Sequence, residues 1–463
     1  MYHSNTGRLL LSAVFMAVAG GTLFAEEPVS SADNWWNSNW KKREVVGLDR
    51  TSAGWVQIRL PANARPRDIR CVLRGSRTPL PHWTQTIEMN KPVRVAASRE
   101  AHFGFPRMIR TKNGDLVLFY RVGQSHAYDR SSIAIRRSTD DGKSWTTQRI
   151  LRTDVPGYSA HNPVPLLTAG GRIVLWVSRY EFAKRPTVRH AGVWASSNDD
   201  GKTWSKFTRF DADTTRSSYY ITDAIRTSFG LLAGSATFPP SGVGNCYVQI
   251  WHSADDGKTW AVRSNLTLPE ENLGDEVALF EMDANRVLCL LRDRRRKDIY
   301  RLWSTDGGKT WSKRERLRNM FDCAFQRPVL TRINKNTFLV TGRDMERRQT
   351  VAYVSRDGCR TFGERHVLDT YQRDGAYTSG VLVDKNTVLL TWYSDEGSAA
   401  LKPDIKLARL TIHETPQSIW VQLPEKRSAN RLDVYFDNAA ATASESRAKA
   451  FLKPGRFVKP KTQ

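Results

Sequence analysis

The sequence is poor in cysteine, poor in acid relative to base, and short of long apolar runs. Five cysteines, Cys71, Cys246, Cys289, Cys323 and Cys359, are scattered over 463 residues. An odd, dispersed set without a Cys-x-x-Cys pair gives no disulfide framework and no thiolate metal site. No His/Cys cluster at ligand spacing takes its place, so no cofactor or metal is expected. The one extended apolar run, Leu9 to Phe24, is broken by Gly20 and Gly21 and is too short for a confirmed membrane span. Arg8 precedes it, and Ala25 stands before Glu26-Glu27. That pattern reads as a secretory signal over residues 1–25, with a retained anchor as the alternative. A secreted or periplasmic protein with no membrane span after signal removal is expected.

Acidic residues number 47 against 71 Lys and Arg, for a formal charge of +24. Such an excess favours an anionic partner: an acidic glycan, nucleic acid or a membrane surface. The positive residues are spread along the chain, and the densest run, Arg294-Arg295-Arg296-Lys297, is short. No nucleic-acid motif accompanies it, so nucleic acid is not expected as a partner. Fifteen tryptophans and a mean hydropathy of −0.51 indicate an aromatic-rich, soluble globular chain.

A short motif recurs. It reads Ser138-Thr139-Asp140-Asp141-Gly142-Lys143-Ser144-Trp145, and returns at Ser197–Trp204, Ser253–Trp260 and Ser304–Trp311. A worn fifth copy, Ser355–Phe362, has Cys359 where the others have Gly. A period of roughly 50–60 residues marks stacked or circular repeats. Asp-x-Gly is hairpin-turn chemistry: Asp folds its side chain onto its own backbone, and Gly takes positive φ. The preceding residues alternate, as in Ile133-Ala134-Ile135-Arg136-Arg137, which suits a strand. The aromatic after the turn is placed to pack between neighbouring sheets. These residues read as architectural, without chemistry of their own.

Aligning the copies brings six units into register from about residue 101 to 412. Six four-stranded units in a closed circle make a β-propeller. A circle removes free sheet edges, and Val93-Arg94-Val95-Ala96 is the strand expected to complete the last blade. The fold class is therefore all-β: a six-bladed β-propeller with a small β-rich N-terminal segment over 26–100. Residues 413–463 are expected to add a C-terminal strand and a polar, basic tail, irregular after about Asn430.

The first strand of each propeller blade lines the central funnel, so the residues opening those strands should converge. They are His102, His161, Asp223, Glu276, Arg327 and Tyr377, ionisable groups ill-suited to filling a core. Arg121, Arg179, Arg292 and Arg343 close the second strands of four blades. Singly, each could be a surface charge. As a set they predict a positive rim, and Arg grips carboxylate in a bidentate fork.

These repeats and strand openings resemble the sialidase superfamily of six-bladed propellers with Asp-box (BNR) repeats, over about residues 101–412. The repeats specify the fold more strongly than the activity, because hydrolases, lyases and non-catalytic propellers share them. The resemblance implies a secreted exo-glycosidase releasing sialic acid or a related acidic sugar, with an acidic glycan as partner. In that chemistry a Tyr attacks, a Glu takes its proton, an Asp is the acid/base, and three Arg hold the substrate carboxylate. Carried onto this chain, Tyr377 is the nucleophile, Glu276 its base and Asp129 the acid/base. Arg292 and Arg347 (with Arg348 as its close rival), together with Arg107 or Arg121, hold the carboxylate, and His161, Asp223 and Arg327 are further substrate-binding residues of the funnel. The chain departs from the family at one place. Where the first of the three Arg stands in a Tyr/Phe-Arg-Ile-Pro motif, this chain has Phe103-Gly104-Phe105-Pro106. That loss, with His102, His126 and His161 nearby, leaves open a hydrolase or lyase for another acidic polysaccharide. A non-catalytic glycan-binding propeller is the further alternative.

Overall fold

The computed structural model describes residues 82–413, apart from interruptions at 128, 155, 182–188, 211–217, 239–244, 294–297, 319, 322, 364, 399 and 401. It also describes the strand segments 42–47, 54–59, 70–73, 418–423 and 431–436. The signal read in residues 1–25, the basic run at 294–297 and the tail beyond 436 lie outside the described residues. Two compact units are formed, one from Met89–Ile412 and one from Met1–Glu88 with His413–Gln463.

The larger unit is a six-bladed propeller. Blade one runs through strands His102–Arg110, Leu116–Gly123, Ser132–Ser138 and Arg149–Thr153, each antiparallel to the one before it. Blades two to five repeat this order, opening on Tyr158–Leu167, Ser218–Thr227, Val277–Asp283 and Phe325–Arg332. Blade six has Gly375–Asp384, Thr387–Ser394 and Asp404–Ile412, and Val93–Ala96 pairs with the last of these, Ala96 opposite Ile405 and Arg94 opposite Lys406. The expected closing strand is thus in place, and it leaves the ring without an open edge. Among the described residues the one helical element is a single 3-10 turn, Pro269–Glu271.

Each Asp-box repeats the same hydrogen bonds. In the first, Ser138 Oγ donates to Asp140 Oδ1 at 2.7 Å and accepts from Gly142 N at 2.8 Å. Asp140 in turn accepts from Ser144 N at 2.9 Å and Ser144 Oγ at 2.6 Å. The worn copy keeps all four contacts through Ser355, Asp357, Cys359 and Thr361. Two successive left-handed residues make the turn: Asp141 and Gly142 in the first copy (φ 57° and 80°), Gly358 and Cys359 in the fifth (φ 69° and 62°). A Cys at such a φ is strained. It is fully buried among Leu288, Phe338 and Tyr353, so packing offsets the strain.

The aromatic after each turn fills the seam with the preceding blade. Trp204 stands edge-on to Phe119 with centroids 5.8 Å apart, and Trp260 edge-on to Trp176 at 5.1 Å. Trp145 closes the ring against the core shared with blade six, which includes Leu389 and Leu407. An arginine clasp reinforces most seams, reaching from one blade to a turn carbonyl of the next box. Arg172 donates to Asp256 O at 2.6 Å, Arg263 to Gly307 O at 2.7 Å and Arg301 to Cys359 O at 2.5 Å. Arg137 does the same to Asp200 O and Arg409 to Asp141 O. Part of the basic excess is therefore architectural.

The smaller unit unites what the sequence presents as two terminal pieces. Arg431–Phe436 lies between Lys42–Gly47 and Arg70–Leu73, and Ser418–Leu423 lies between Gly54–Arg59 and His82–Gln85, all antiparallel. The strand at 431–436 falls within the tail expected to be irregular. Leu432, Val434 and Phe436 alternate at strand period inside polar surroundings that masked the pattern.

Candidate active site

The funnel is shaped by bulges near the start of the inner strands. Pairing skips between Gly104 and Arg107, His161 and Val164, Gln326 and Val329, and Gly375 and Thr378. At each skip a residue sits in the left-handed region: Phe105 (φ 54°), Asn162 (φ 44°), Arg327 (φ 55°) and Ala376 (φ 79°). In three of them Pro follows, at 106, 163 and 328. A bulge re-aims side chains that strict alternation would place elsewhere. Non-glycine residues held at positive φ store strain, which collects where function requires a particular orientation.

Two clusters result. In the first, Tyr377 donates its hydroxyl to Glu276 Oε1 at 3.5 Å. Arg292 pairs with Glu276 Oε2 and donates through Nε to Gln326 Oε1 at 2.6 Å. It also stands 3.5 Å from the Tyr377 oxygen. Arg327 Nε lies 3.3 Å from Glu276 Oε1, and its guanidinium carbon lies 5.1 Å from the Tyr377 ring centroid. Arg343 approaches the same ring to 4.9 Å. All six side chains are buried. Burial alone would raise the Glu276 carboxyl, but Arg327 and Arg292 outweigh it and hold it well below the usual carboxylate range. Glu276 is therefore an anion beside a phenol, while Arg343 has no ion pair or hydrogen bond among the described residues. Gln326, which braces Arg292, was not singled out in the sequence. It neighbours Arg327 at the opening of blade five, and only the geometry distinguishes it.

The second cluster is built of histidines. His102 Nε2 and His126 Nδ1 both donate to Asp374 Oδ2, at 2.7 and 2.8 Å, and Tyr393 donates to Oδ1 at 3.0 Å. Burial would raise the Asp374 carboxyl, but its two histidine partners hold it far below its ordinary range. Phe105 joins the two clusters, with its ring centroid 5.0 Å from His126, 3.9 Å from His161 and 5.1 Å from Tyr377. His161 donates through Nε2 to the His126 carbonyl at 3.0 Å. Burial first, then Arg121 and His126, hold its ring well below the usual imidazole range, so it is neutral. His102, His126 and Asp374 have the donor types of a metal site, with donor atoms within 4.8 Å of one another. Here each imidazole N–H is engaged by the carboxylate. Asp374 was not singled out in the sequence either, although it stands three positions before Tyr377.

The remaining expected residues have their direct polar partners elsewhere, although Arg107 and Arg327 donate to the same Thr222 carbonyl. Asp129 pairs with Arg121 through Oδ1, and its Oδ2 accepts from the backbone of Gln124 and, at 3.0 Å, of Ser125. Arg121 is fully buried, and Arg179 stacks 3.8 Å from the Tyr158 ring centroid. Neither forms a positive rim with Arg292 and Arg343. Arg347 contacts Asp344 at 2.9 Å, while Arg343, four residues earlier in sequence, lies over Tyr377. Arg107 donates to Thr222 O at 3.0 Å and stands 3.9 Å from Asp223 Oδ1. Asp223 also accepts from Leu279 N at 2.8 Å. Burial and Arg327 lower Arg107 to about 10, so it keeps its charge at neutral pH. No helix among the described residues is long and apolar enough to cross a membrane.

A family model described as "BNR repeat-like domain" matches residues 131–390. A sialidase of Bacteroides fragilis is 24% identical over 337 residues, covering 64% of this chain and 60% of the relative. A sialidase of Micromonospora viridifaciens is 28% identical over 237 residues, covering 45% and 36%. The chain thus spans less than two thirds of the length of these relatives. Among solved structures, a Dyadobacter fermentans protein of unknown function aligns with a TM-score of 0.61 at 19% identity, over 71% of this chain and all of that one. A Hadza microbial sialidase aligns with a TM-score of 0.57 at 19% identity, over 68% of each chain. At such identities the structural likeness is one of fold. The family match covers more than half of the chain, and with the Asp-box geometry and the six closed blades it places the chain in the sialidase superfamily of BNR-repeat β-propellers.

Proposed function

We propose that this protein is an exo-glycosidase of sialidase type, hydrolysing a terminal sialic acid or related acidic sugar through a tyrosine nucleophile. The observation that carries the reading is the Tyr377–Glu276 pair, with the unpaired cation of Arg343 over the same ring. A carboxylate nucleophile would be repelled by a substrate carboxylate at the reacting carbon. A neutral phenol is not, and an adjacent anionic Glu276 can take its proton as it attacks. Arg343 and Arg292 face the place where that substrate carboxylate would sit, and a charge-assisted fork there contributes about 1.5–3 kcal/mol. Arg327 acts through Glu276, keeping it ionised. The resemblance gives the acid/base role to Asp129, whose carboxylate oxygens are engaged by Arg121 and the loop backbone. The leader read in residues 1–25 makes export part of the same proposal.

The test is turnover of an aryl sialoside by wild type and Tyr377→Phe, with a fluorinated sialosyl probe to trap a glycosyl-tyrosine found by peptide mass. Undiminished turnover by the Phe variant would sink the reading.

One observation favours a second reading, an acidic sugar other than sialic acid. A Cβ on Gly104 would meet His102 Cε1 at 3.2 Å and Tyr393 Cδ2 at 3.7 Å. The niche of the family's first Arg is therefore edged by a histidine and a tyrosine, and the carboxylate grip differs. A panel of sialylated and uronate-containing glycans separates the two. Binding without turnover on every member would point to a glycan-binding propeller.

A further inference from the structure

We propose that His126, positioned by Asp374, is the acid/base of this site, and that Asp129 is a structural partner of Arg121. The assignment rests on the glycosidase reading above.

The two candidates share one loop, between the second and third strands of blade one, but face different ways. Asp129 turns back to its own blade, where it neutralises the buried Arg121 and accepts from Gln124 N and Ser125 N. Both of its carboxylate oxygens are thus already engaged within its own blade. His126 turns across the funnel. Its ring packs edge-on to Phe105, the same residue that Tyr377 meets edge-on from another side. Its side chain is 48% exposed, against 13% for Asp129 and none for Arg121, so it is the more open to a ligand.

The hydrogen bonding of His126 suits the role. Nδ1–H donates to Asp374 Oδ2, which orients the ring and leaves Nε2 as the nitrogen that can meet a ligand. Nε2 has no hydrogen-bond partner among the described residues. Asp374 is itself held, accepting from Tyr393 and His102 while its backbone N–H donates to Asp395 at 3.2 Å. A base braced by a carboxylate that is itself braced is the arrangement expected of a general acid/base. His102 and His161 do not compete for it. Both are buried, and each already donates its one N–H.

The steps balance. In the first, the Tyr377 oxygen bonds to the anomeric carbon and its proton passes to Glu276. The bond from that carbon to the leaving oxygen breaks, and Nε2–H of protonated His126 supplies the proton that oxygen needs. In the second, neutral Nε2 takes a proton from water, whose oxygen bonds to the anomeric carbon. The bond to Tyr377 breaks, and the phenol regains its proton from Glu276.

A catalytic acid matters most when the leaving group is poor, so the ratio of two substrates is the readout. The wild type, His126→Gln, Asp129→Asn and Asp374→Asn are assayed on sialyl-lactose and on 4-nitrophenyl sialoside, with thermal melts on each. His126→Gln is expected to lose about 10²–10⁴ in kcat/KM on sialyl-lactose and less than roughly tenfold on the aryl substrate, as expected when only proton donation is lost. Asp374→Asn is expected to show the same pattern in kcat with KM little changed. Any loss in Asp129→Asn is expected to be equal on both substrates. A leaving-group-dependent loss in Asp129→Asn with an equal loss in His126→Gln would overturn the assignment and leave the glycosidase reading standing. So would activity abolished by chelator, restored by zinc and insensitive to leaving group, which would make the cluster a metal site. A wild type inactive on both substrates overturns the sialidase reading, and this assignment with it.

Discussion

Arg343 lies with its guanidinium carbon 4.9 Å from the centroid of the Tyr377 ring, 8% exposed and without a carboxylate of its own among the described residues. Arg292 and Arg327 stand beside the same ring, but both are tied to Glu276. A buried cation outside any direct ion pair is costly, although its charge adds to those that lower the Glu276 carboxyl.

The consequence is a separation between binding and stability. If the sialidase-type proposal holds, Arg343→Leu removes a fork from the substrate carboxylate, and KM is expected to rise by about 10- to 150-fold, the equivalent of about 1.5–3 kcal/mol. The variant breaks no ion pair, so its melting temperature is expected to hold or rise. Arg347→Leu removes a contact to Asp344, which Arg365 also holds at 2.9 Å, and is expected to leave KM little changed. Steady-state kinetics and a melt on the two variants check this. A KM unchanged in Arg343→Leu would remove it from the substrate site.

Glu276→Gln is expected to lose both activity and stability. Without the anion, Tyr377 has no base, and kcat should fall by about 10²–10⁴. Arg327 would also lose its ion pair and Arg292 would keep only Asp275, at 3.8 Å, at a cost of about 3–5 kcal/mol. The sign of the pH dependence follows from the depressed carboxyl. Its folded pKa, about 2, lies below the unfolded value of about 4.3. The stabilisation is therefore fully present above the unfolded value and is lost as pH falls towards the folded one. The gap between wild-type and variant melting temperatures should be constant above about pH 5 and close as pH falls below 4. A gap that widened on acidification would contradict the ionised state.

The fold was legible because its signal is repeated. Five turns carrying Ser, Asp and Gly at fixed offsets count the blades, and even the copy with Cys359 preserves its contacts. The inner-strand openings likewise brought out Glu276, Arg327 and Tyr377, which the structure gathers. What could not be read was direction. Arg121 and Arg292 end equivalent strands, yet one turns to Asp129 and the other to Glu276. Arg343 and Arg347 are four residues apart, and only the strand register puts the first over Tyr377. Asp374 belongs to no repeat. Its role comes from two histidines about 250 residues or more away in sequence, a relation that no local pattern encodes.

The worn fifth box gives a test of how much the motif itself contributes. Ser304 Oγ accepts from Gly308 N at 2.7 Å and donates to Asp306 at 2.8 Å. Ser355 does the same for Cys359 N and Asp357, at 2.9 Å each. Both serines are buried, so replacing either with Ala strands a buried N–H at a cost of about 1–3 kcal/mol. The two variants are expected to be destabilised alike in urea unfolding. If Ser355→Ala were neutral, the fifth copy would be a relic without a structural role.

Gly104 offers the last test, because it asks whether the missing arginine can be restored. A Cβ there would stand 3.2 Å from His102 Cε1, closer than ordinary contact, and His102 is buried and anchored to Asp374. Gly104→Arg alone is expected to lower both stability and kcat/KM, because the new side chain must displace the imidazole. With His102→Ala added, the niche opens, and part of the stability loss should be recovered. A double-mutant cycle should give a coupling of about 0.5–3 kcal/mol, the range for residues in direct contact. If the double variant also lowers KM for a sialoside relative to wild type, the niche accepts the third cation of the family's carboxylate grip. A coupling near zero would show that His102 and position 104 do not compete for space, and the departure at Gly104 would then need another cause.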